Sequence, residues 1–167
     1  MKDEREFFCQ SVQACKQSMY TLAYGILKHE EDAADVLQDA ILKAYCNLDT
    51  LRDKRKFRSW MLSIVHNTAV EFLKKQRPTV DIDEQWGMTA EEGPLDAASR
   101  MTVWEAVQKL KLPYRTIVIL FYYQDCSVRQ IAEITESSEP AVRQQLSRAR
   151  KMLAQILNRE DFDDERI

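Results

Sequence analysis

Glycine and proline are scarce in this chain. Its 167 residues include three glycines and four prolines, and strongly alternating apolar–polar runs are missing. Turn-rich β architectures need both features, so the expected fold class is all-α. No apolar run is long enough to cross a bilayer. The opening Met1–Phe8 is charged and no apolar stretch follows it, which reads against a secretory signal. A cytoplasmic protein is expected, neither integral to a membrane nor secreted. Cysteines are few and scattered: Cys9, Cys15, Cys46 and Cys126 form no C-x-x-C pair, and only His29 and His66 are available to complete a metal site. Buried free thiols are expected, not disulfide, redox or zinc chemistry. No nucleophile–base signature, phosphate loop or metal spacing appears. The expectation is therefore no catalytic residue, no metal, no cofactor and no small-molecule substrate.

The formal net charge is −3, but its distribution matters more. Residues 1–77 carry a net +2, residues 78–99 a net −6 with no Lys or Arg, residues 100–158 a net +4, and residues 159–167 a net −3. Two mildly basic bodies are thus joined by an acidic linker and followed by an acidic tail. Phosphate binding responds to local potential, so the overall sign does not exclude nucleic acid. The linker holds two of the three glycines and two of the four prolines and lacks helical periodicity. It reads as a flexible tether allowing the two domains more than one mutual arrangement, and Trp86 within it reads as a local anchor or partner contact.

The first body carries three helical patterns. Phe7, Phe8, Val12, Cys15, Met19, Leu22, Ala23 and Ile26 recur every three to four residues. A second helix, starting near Glu31, points Ala33, Ala34, Val36, Leu37, Ala40, Ile41, Ala44 and Tyr45 inward. Acidic residues in its first turn suit the helix dipole. Asp35, Gln38 and Asp39 nevertheless stand at i, i+3 and i+4, which with Asp32 makes an acidic and amide patch suited to a basic partner surface. The polar connection Asn47–Lys56 supplies Arg52, Lys54, Arg55 and Lys56. It leads into a third pattern, Phe57, Trp60, Met61, Ile64, Val65, Thr68, Phe72 and Leu73, with Arg58, Asn67 and Lys74 among its polar residues. Aromatics interleaved with bases suit single strands or flipped bases, whereas the helical period of Trp60 favours a core role.

In the second body, Val128, Ile131, Ala132 and Ile134 fall at helical spacing, residues 135–137 suit a turn, and Ser138 suits an N-cap before Glu139 and Pro140. Val142, Leu146, Ala149 and Leu153 then share one face, while Arg143, Gln144, Ser147, Arg148 and Lys151 share the other. This is the layout of a helix-turn-helix whose second helix enters a DNA major groove. On spacing alone an amphipathic hairpin with a solvated basic face fits equally well.

The motifs in order resemble the extracytoplasmic-function (ECF) sigma factors, small members of the sigma-70 family of bacterial RNA polymerase subunits. Asp32-Ala33-Ala34-Asp35-Val36-Leu37-Gln38-Asp39-Ala40 is similar to the family's D-A-x-D-x-x-Q-[DE] run. Phe57-Arg58-Ser59-Trp60-Met61 with His66-Asn67-Thr68-Ala69 is similar to its F-R-x-W-L…R-N-x-A segment. Leu112-Pro113-Tyr114-Arg115 opens the second body as L-P-x-x-x-R-x-V does, with the arginine two residues early. Ser127–Ala132 and Val142–Arg150 resemble the family's helix-turn-helix. The resemblance implies two small helical domains, a region 2 bundle (1–77) and a region 4 helix-turn-helix (100–158), joined by the linker 78–99, which, being acidic, would run through the RNA exit path or mimic nucleic acid there.

It also implies site residues and partners. Asp32, Asp35, Gln38 and Asp39 would contact the β′ clamp helices of core RNA polymerase. Arg52, Lys54, Arg55, Lys56, Arg58, Asn67 and Lys74 would contact promoter DNA at −10. Ser138, Ala141, Arg143, Gln144, Ser147, Arg148 and Lys151 would do so at −35. An anti-sigma factor, membrane-linked in kind, is implied as a further partner. The chain departs from the pattern at Gln130, Glu136, Pro140-Ala141 and Gln144-Gln145, which bears on −35 preference, with the amide pair favouring adenine contacts. His29-Glu30 replaces Gly-Asn, which weakens the expected tight turn. A stand-alone helix-turn-helix regulator would leave the acidic patch and the 57–77 segment without a role. An enzyme using Cys126 or the carboxylates lacks any supporting motif.

Overall fold

A computed structural model describes residues 2–76 and 102–157. The linker, Trp86 and the acidic tail lie outside the described residues. Helix α1 (Lys2–Leu27) is followed by α2 (Glu30–Cys46), two short 3₁₀ turns (Leu48–Thr50 and Lys54–Lys56) and α3 (Phe57–Gln76). The second body consists of α4 (Val103–Lys109), α5 (Tyr114–Val118) running into a π-helical turn (Ile119–Tyr123), α6 (Val128–Thr135) and α7 (Glu139–Leu157). Every regular element among the described residues is helical.

The helix starts follow from local chemistry. His29 caps α2, its Nδ1 accepting from the Asp32 amide at 3.4 Å, so the expected weakness of this turn is met by an imidazole cap, with Lys28 in the left-handed region at φ 59°. The Asp53 carboxylate accepts from the Arg55 amide at 3.0 Å and nucleates the turn that continues directly into α3. Thr102 and Glu105 form a reciprocal capping box on α4. Ser127 and Gln130 do the same on α6, at 2.9 and 3.1 Å. Gln130 thus reaches back as the family's Glu would, because an amide oxygen accepts as a carboxylate does.

In the first body α1, α2 and α3 pack against one another around Met19, Leu22, Ile26, Val36, Ala40, Met61 and Val65, all buried. Each fully buried Leu, Ile or Met contributes about 1.5–3 kcal/mol. Two residues expected inward differ. Ala34 is exposed, and Tyr45 is 45 % exposed, its ring centroid 5.4 Å from that of Phe8 in an edge-to-face arrangement. The inward stripe of α2 is narrower than its apolar composition. Helix α3 differs the other way: Leu62 and Ala69 are buried beyond the expected face, because α3 touches α1, α2 and α6. The two bodies therefore pack on each other, α1 against α5 and the π turn, α3 against α6.

Candidate nucleic-acid and polymerase interfaces

Helix α2 presents Asp35, Gln38 and Asp39 exposed, with Leu42 beside them at 62 % exposure. Asp32 is partly covered, 3.6 Å from His29 Nδ1. Asp39 pairs with Lys43 at 3.3 Å, and Lys43 also reaches Glu71 on α3 at 3.1 Å. These two carboxylates raise the Lys43 pKa against a burial effect that lowers it. The result is an acidic ridge whose apolar end is open to solvent.

The basic connection is more structured than its sequence indicates. Asp53 holds Arg55 through two oxygens, to Nε and Nη2 at 3.1 Å each. Hydrogen bonds from Arg55 lower the Asp53 pKa. Lys54 sits over the Phe7 ring, 4.8 Å from its centroid. Arg52 and Lys56 instead line a cleft of about 340 Å³ with Thr50, Leu51, Asp53, Ser59, Trp60 and Ser63. Trp60 is both core and surface: its ring packs at 5.6 Å from Phe57 while its Nε1 donates to Thr50 Oγ1 at 3.3 Å. An aromatic wall beside hydroxyls and two cations suits an unstacked base with its phosphate.

Other residues of this set are dispersed. Asn67 is exposed and bonds the His66 ring at 3.3 Å; Lys74 is exposed in the last turn of α3. Arg58 does not face solvent freely. It donates from Nη2 to the Gln124 backbone carbonyl and, at 3.2 Å, to Gln124 Oε1 in the second body. That engagement ties its guanidinium to the second body.

In the second body α6 and α7 form the helix-turn-helix. The turn is made by Glu136 in the left-handed conformation (φ 55°, ψ 42°), with the Ser137 amide donating to the Ala132 carbonyl at 3.0 Å. Ser138 Oγ accepts from the Ala141 amide at 3.2 Å and caps α7. Val142, Leu146 and Leu153 are buried, as are Ile117, Leu120 and Ile131. Arg143, Gln144, Arg148 and Lys151 are exposed on the opposite face, with Ala141 and Ser147 half-buried beside them. The Gln144-Gln145 pair splits: Gln145 Oε1 is buried without a hydrogen bond, leaving Gln144 as the presented amide.

The cysteines differ from expectation in part. Cys15 and Cys126 are buried, but Cys9 and Cys46 are exposed. Burial raises the Cys15 and Cys126 pKa values, with Arg58 pulling both back. No cluster that could hold a metal and no helix long and apolar enough to cross a membrane occurs among the described residues.

Gly25 and Gln124 were not singled out from sequence, and Arg115 was noted there only as the arginine of the motif that opens the second body. Arg115 is buried, donating to the Gly25 and Ile26 carbonyls of α1, the latter at 2.7 Å, and to the Leu110 carbonyl at 2.9 Å. Burial lowers its pKa to about 10, so it stays charged at neutral pH. Gly25 lies where a side chain would overlap Ile119. Gln124 receives Arg58. The isolated Gly25 within a helical pattern was the available signal, since such a glycine marks close approach.

Two family models match the chain in order, Sigma-70 region 2 over residues 12–79 and Sigma-70, region 4 over residues 100–153. RNA polymerase sigma factor SigV of Bacillus subtilis is 34% identical over 147 residues, covering 88% of this chain and 89% of that protein. The ECF RNA polymerase sigma factor SigW of the same organism is 28% identical, covering 93% and 91%. Among solved structures, the sigma factor RpoE of Bartonella quintana, in complex with the anti-sigma factor NepR, superposes with a TM-score of 0.73 at 22% identity, covering 96% of this chain and 99% of that one. CnrH, in complex with the cytosolic domain of CnrY, gives 0.63 at 23% identity, covering 94% and 89%. With both regions matched in sequence order and a 34%-identical relative spanning most of both chains, this protein belongs to the sigma-70 family of RNA polymerase sigma factors, in its extracytoplasmic-function group.

Proposed function

We propose that this sigma factor divides promoter recognition among three surfaces. The Asp32, Asp35, Gln38 and Asp39 ridge docks on the β′ clamp helices of core polymerase. The cleft at Arg52, Lys56 and Trp60, with Lys54, Arg55, Arg58, Asn67 and Lys74 around it, takes the −10 strand. Helix α7 enters the −35 major groove. The chain itself performs no catalysis; it works in the cytoplasm and is held inactive by an anti-sigma factor, in keeping with the partners named for RpoE and CnrH. The observation that carries this reading is the exposed acidic ridge and the exposed basic α7 face on one chain, a combination a polymerase-independent regulator has no use for.

The test adds the full chain to core polymerase on a promoter library and sequences the transcript starts. Starts clustered behind one −35/−10 pair are expected. Reversing Asp35 and Asp39 to Lys should abolish core binding with an unchanged circular dichroism spectrum, because exposed substitutions seldom unfold a domain. Unchanged affinity for core would remove the ridge from the assignment.

A further inference from the structure

The two neighbouring amides of α7 stand in different surroundings. Gln144 is exposed, whereas Gln145 is half-buried, its Oε1 covered and, among the described residues, without a hydrogen-bond donor. An acceptor withdrawn from water and given no donor destabilises the free chain. Val142 and Leu146 are buried on one side of Gln145. On its other side Ala141, one turn before it, and Arg148, one turn after it, belong to the face offered to DNA. A helical side chain covers the turn N-terminal to its own Cα. A Gln145 side chain turned outward therefore lies over Ala141, in the part of a recognition helix that meets base edges. Ala141 carries only a methyl group, which leaves room there for a second amide.

We infer that Gln145 is a second base-reading residue of α7: its amide is folded against the body in the free chain, turns outward on docking, and reads an adenine in a base pair other than the one read by Gln144. A glutamine amide donates from Nε2 to adenine N7 and accepts at Oε1 from adenine N6. The orphaned acceptor thus gains its donor only in the complex. The movement is a change of rotamer and leaves the backbone in place, as is common at interfaces. Oε1 is unpaired in one state and paired in the other, so the two states differ in their free energy of interaction with DNA, which a ligand-driven change requires. Against a base with no donor at that point the acceptor stays unsatisfied, and this is what makes the position discriminate. The inference rests on α7 lying in the −35 groove, as proposed above.

Gln145→Leu tests it. Leucine is as good a helix former as glutamine and has no amide, so the variant removes the orphaned acceptor and with it any readout. If Gln145 were only structural, the variant would melt at or above the wild-type temperature and select the same promoters. The expected result is that melting behaviour together with altered selection. With the full chain, core polymerase and a promoter library randomised at −35, Gln145→Leu should lose the adenine preference at one position, distinct from the position relaxed by Gln144→Ala. Binding of the preferred site should weaken about five-fold or more. A folded Gln145→Leu whose −35 profile matches wild type at every position would overturn the inference. If that variant does not fold, Gln145→Met, whose unbranched side chain adapts to the same space, is read by the same criteria. The two readings fail separately. Relaxation by Gln144→Ala without any by Gln145→Leu removes Gln145 alone. If Gln144→Ala, Gln145→Leu and Lys151→Ala all leave −35 binding as in wild type, the assignment of α7 to the groove falls, and the role of Gln145 with it.

Discussion

Glu136 joins the two helices of the helix-turn-helix in a conformation that suits glycine, at φ 55° and ψ 42°. For an L-residue the left-handed region costs about 1–2 kcal/mol, because Cβ crowds the following carbonyl. Glu136→Gly removes that strain. Glycine also gives the unfolded chain more freedom, which returns roughly 0.5–1 kcal/mol to the other side. The side chain is exposed, so little packing is lost, and the net expectation is a stabilisation of about 0.5–1 kcal/mol. For a chain of this length that raises Tm by roughly 1–4 °C. Thermal melting followed at 222 nm measures it, with Glu136→Ala as the control that keeps the strain and should gain nothing. Promoter selection should be unchanged, since α7 keeps its cap at Ser138. A glycine variant that melts no higher than the alanine variant would show that the turn is not strained and that the reasoning from its backbone is wrong.

Three further outcomes are expected. Neutralising Arg52 and Lys56 should flatten the salt dependence of open-complex formation more than neutralising Lys54 and Arg55, because the first pair lines the cleft and the second is engaged by Phe7 and Asp53; equal slopes for the two double variants would remove the cleft from −10 binding. Gln144→Ala should cost about 1–3 kcal/mol at the preferred −35 site and relax one base position, whereas Lys151→Ala should weaken all sites alike, as read from a promoter library; unchanged base preference for Gln144→Ala would assign readout elsewhere or to DNA shape. Burial lowers the His66 pKa below its ordinary 6.5, against opposing pulls from Asn67 and Glu136. The unfolded chain then takes up the proton first, so this contribution to stability is fully present above pH 6.5 and is lost as pH falls below it. Melting at pH 7.5 and 5.5 should show a drop that His66→Gln reduces, and an equal drop in both proteins would exclude His66 as its source.

Much of the site was legible because it depends on short-range pattern. Helical spacing placed Asp35, Gln38 and Asp39 together, and separated Arg143, Gln144, Arg148 and Lys151 from Val142, Leu146 and Leu153; exposure in the structure follows those lines. Capping chemistry at Ser138 was likewise local. What periodicity missed were residues with two environments. Leu62 and Ala69 are buried beyond the face expected for α3, which packs against α1, α2 and also α6. Trp60 packs and lines a cleft at once.

Sequence alone thus determined the all-α class, the sigma-family motifs and the polar faces of α2 and α7, because a helix's own period and caps decide them. Only the tertiary structure decided which of those faces remain available. Arg58 and Arg115 look alike in sequence as basic residues in family motifs, yet one bonds Gln124 and the other is buried on the carbonyl end of α1. The difference lies in contacts spanning 66 and about 90 positions. A buried cation must find its acceptors wherever the fold brings them, and no local pattern records where that will be.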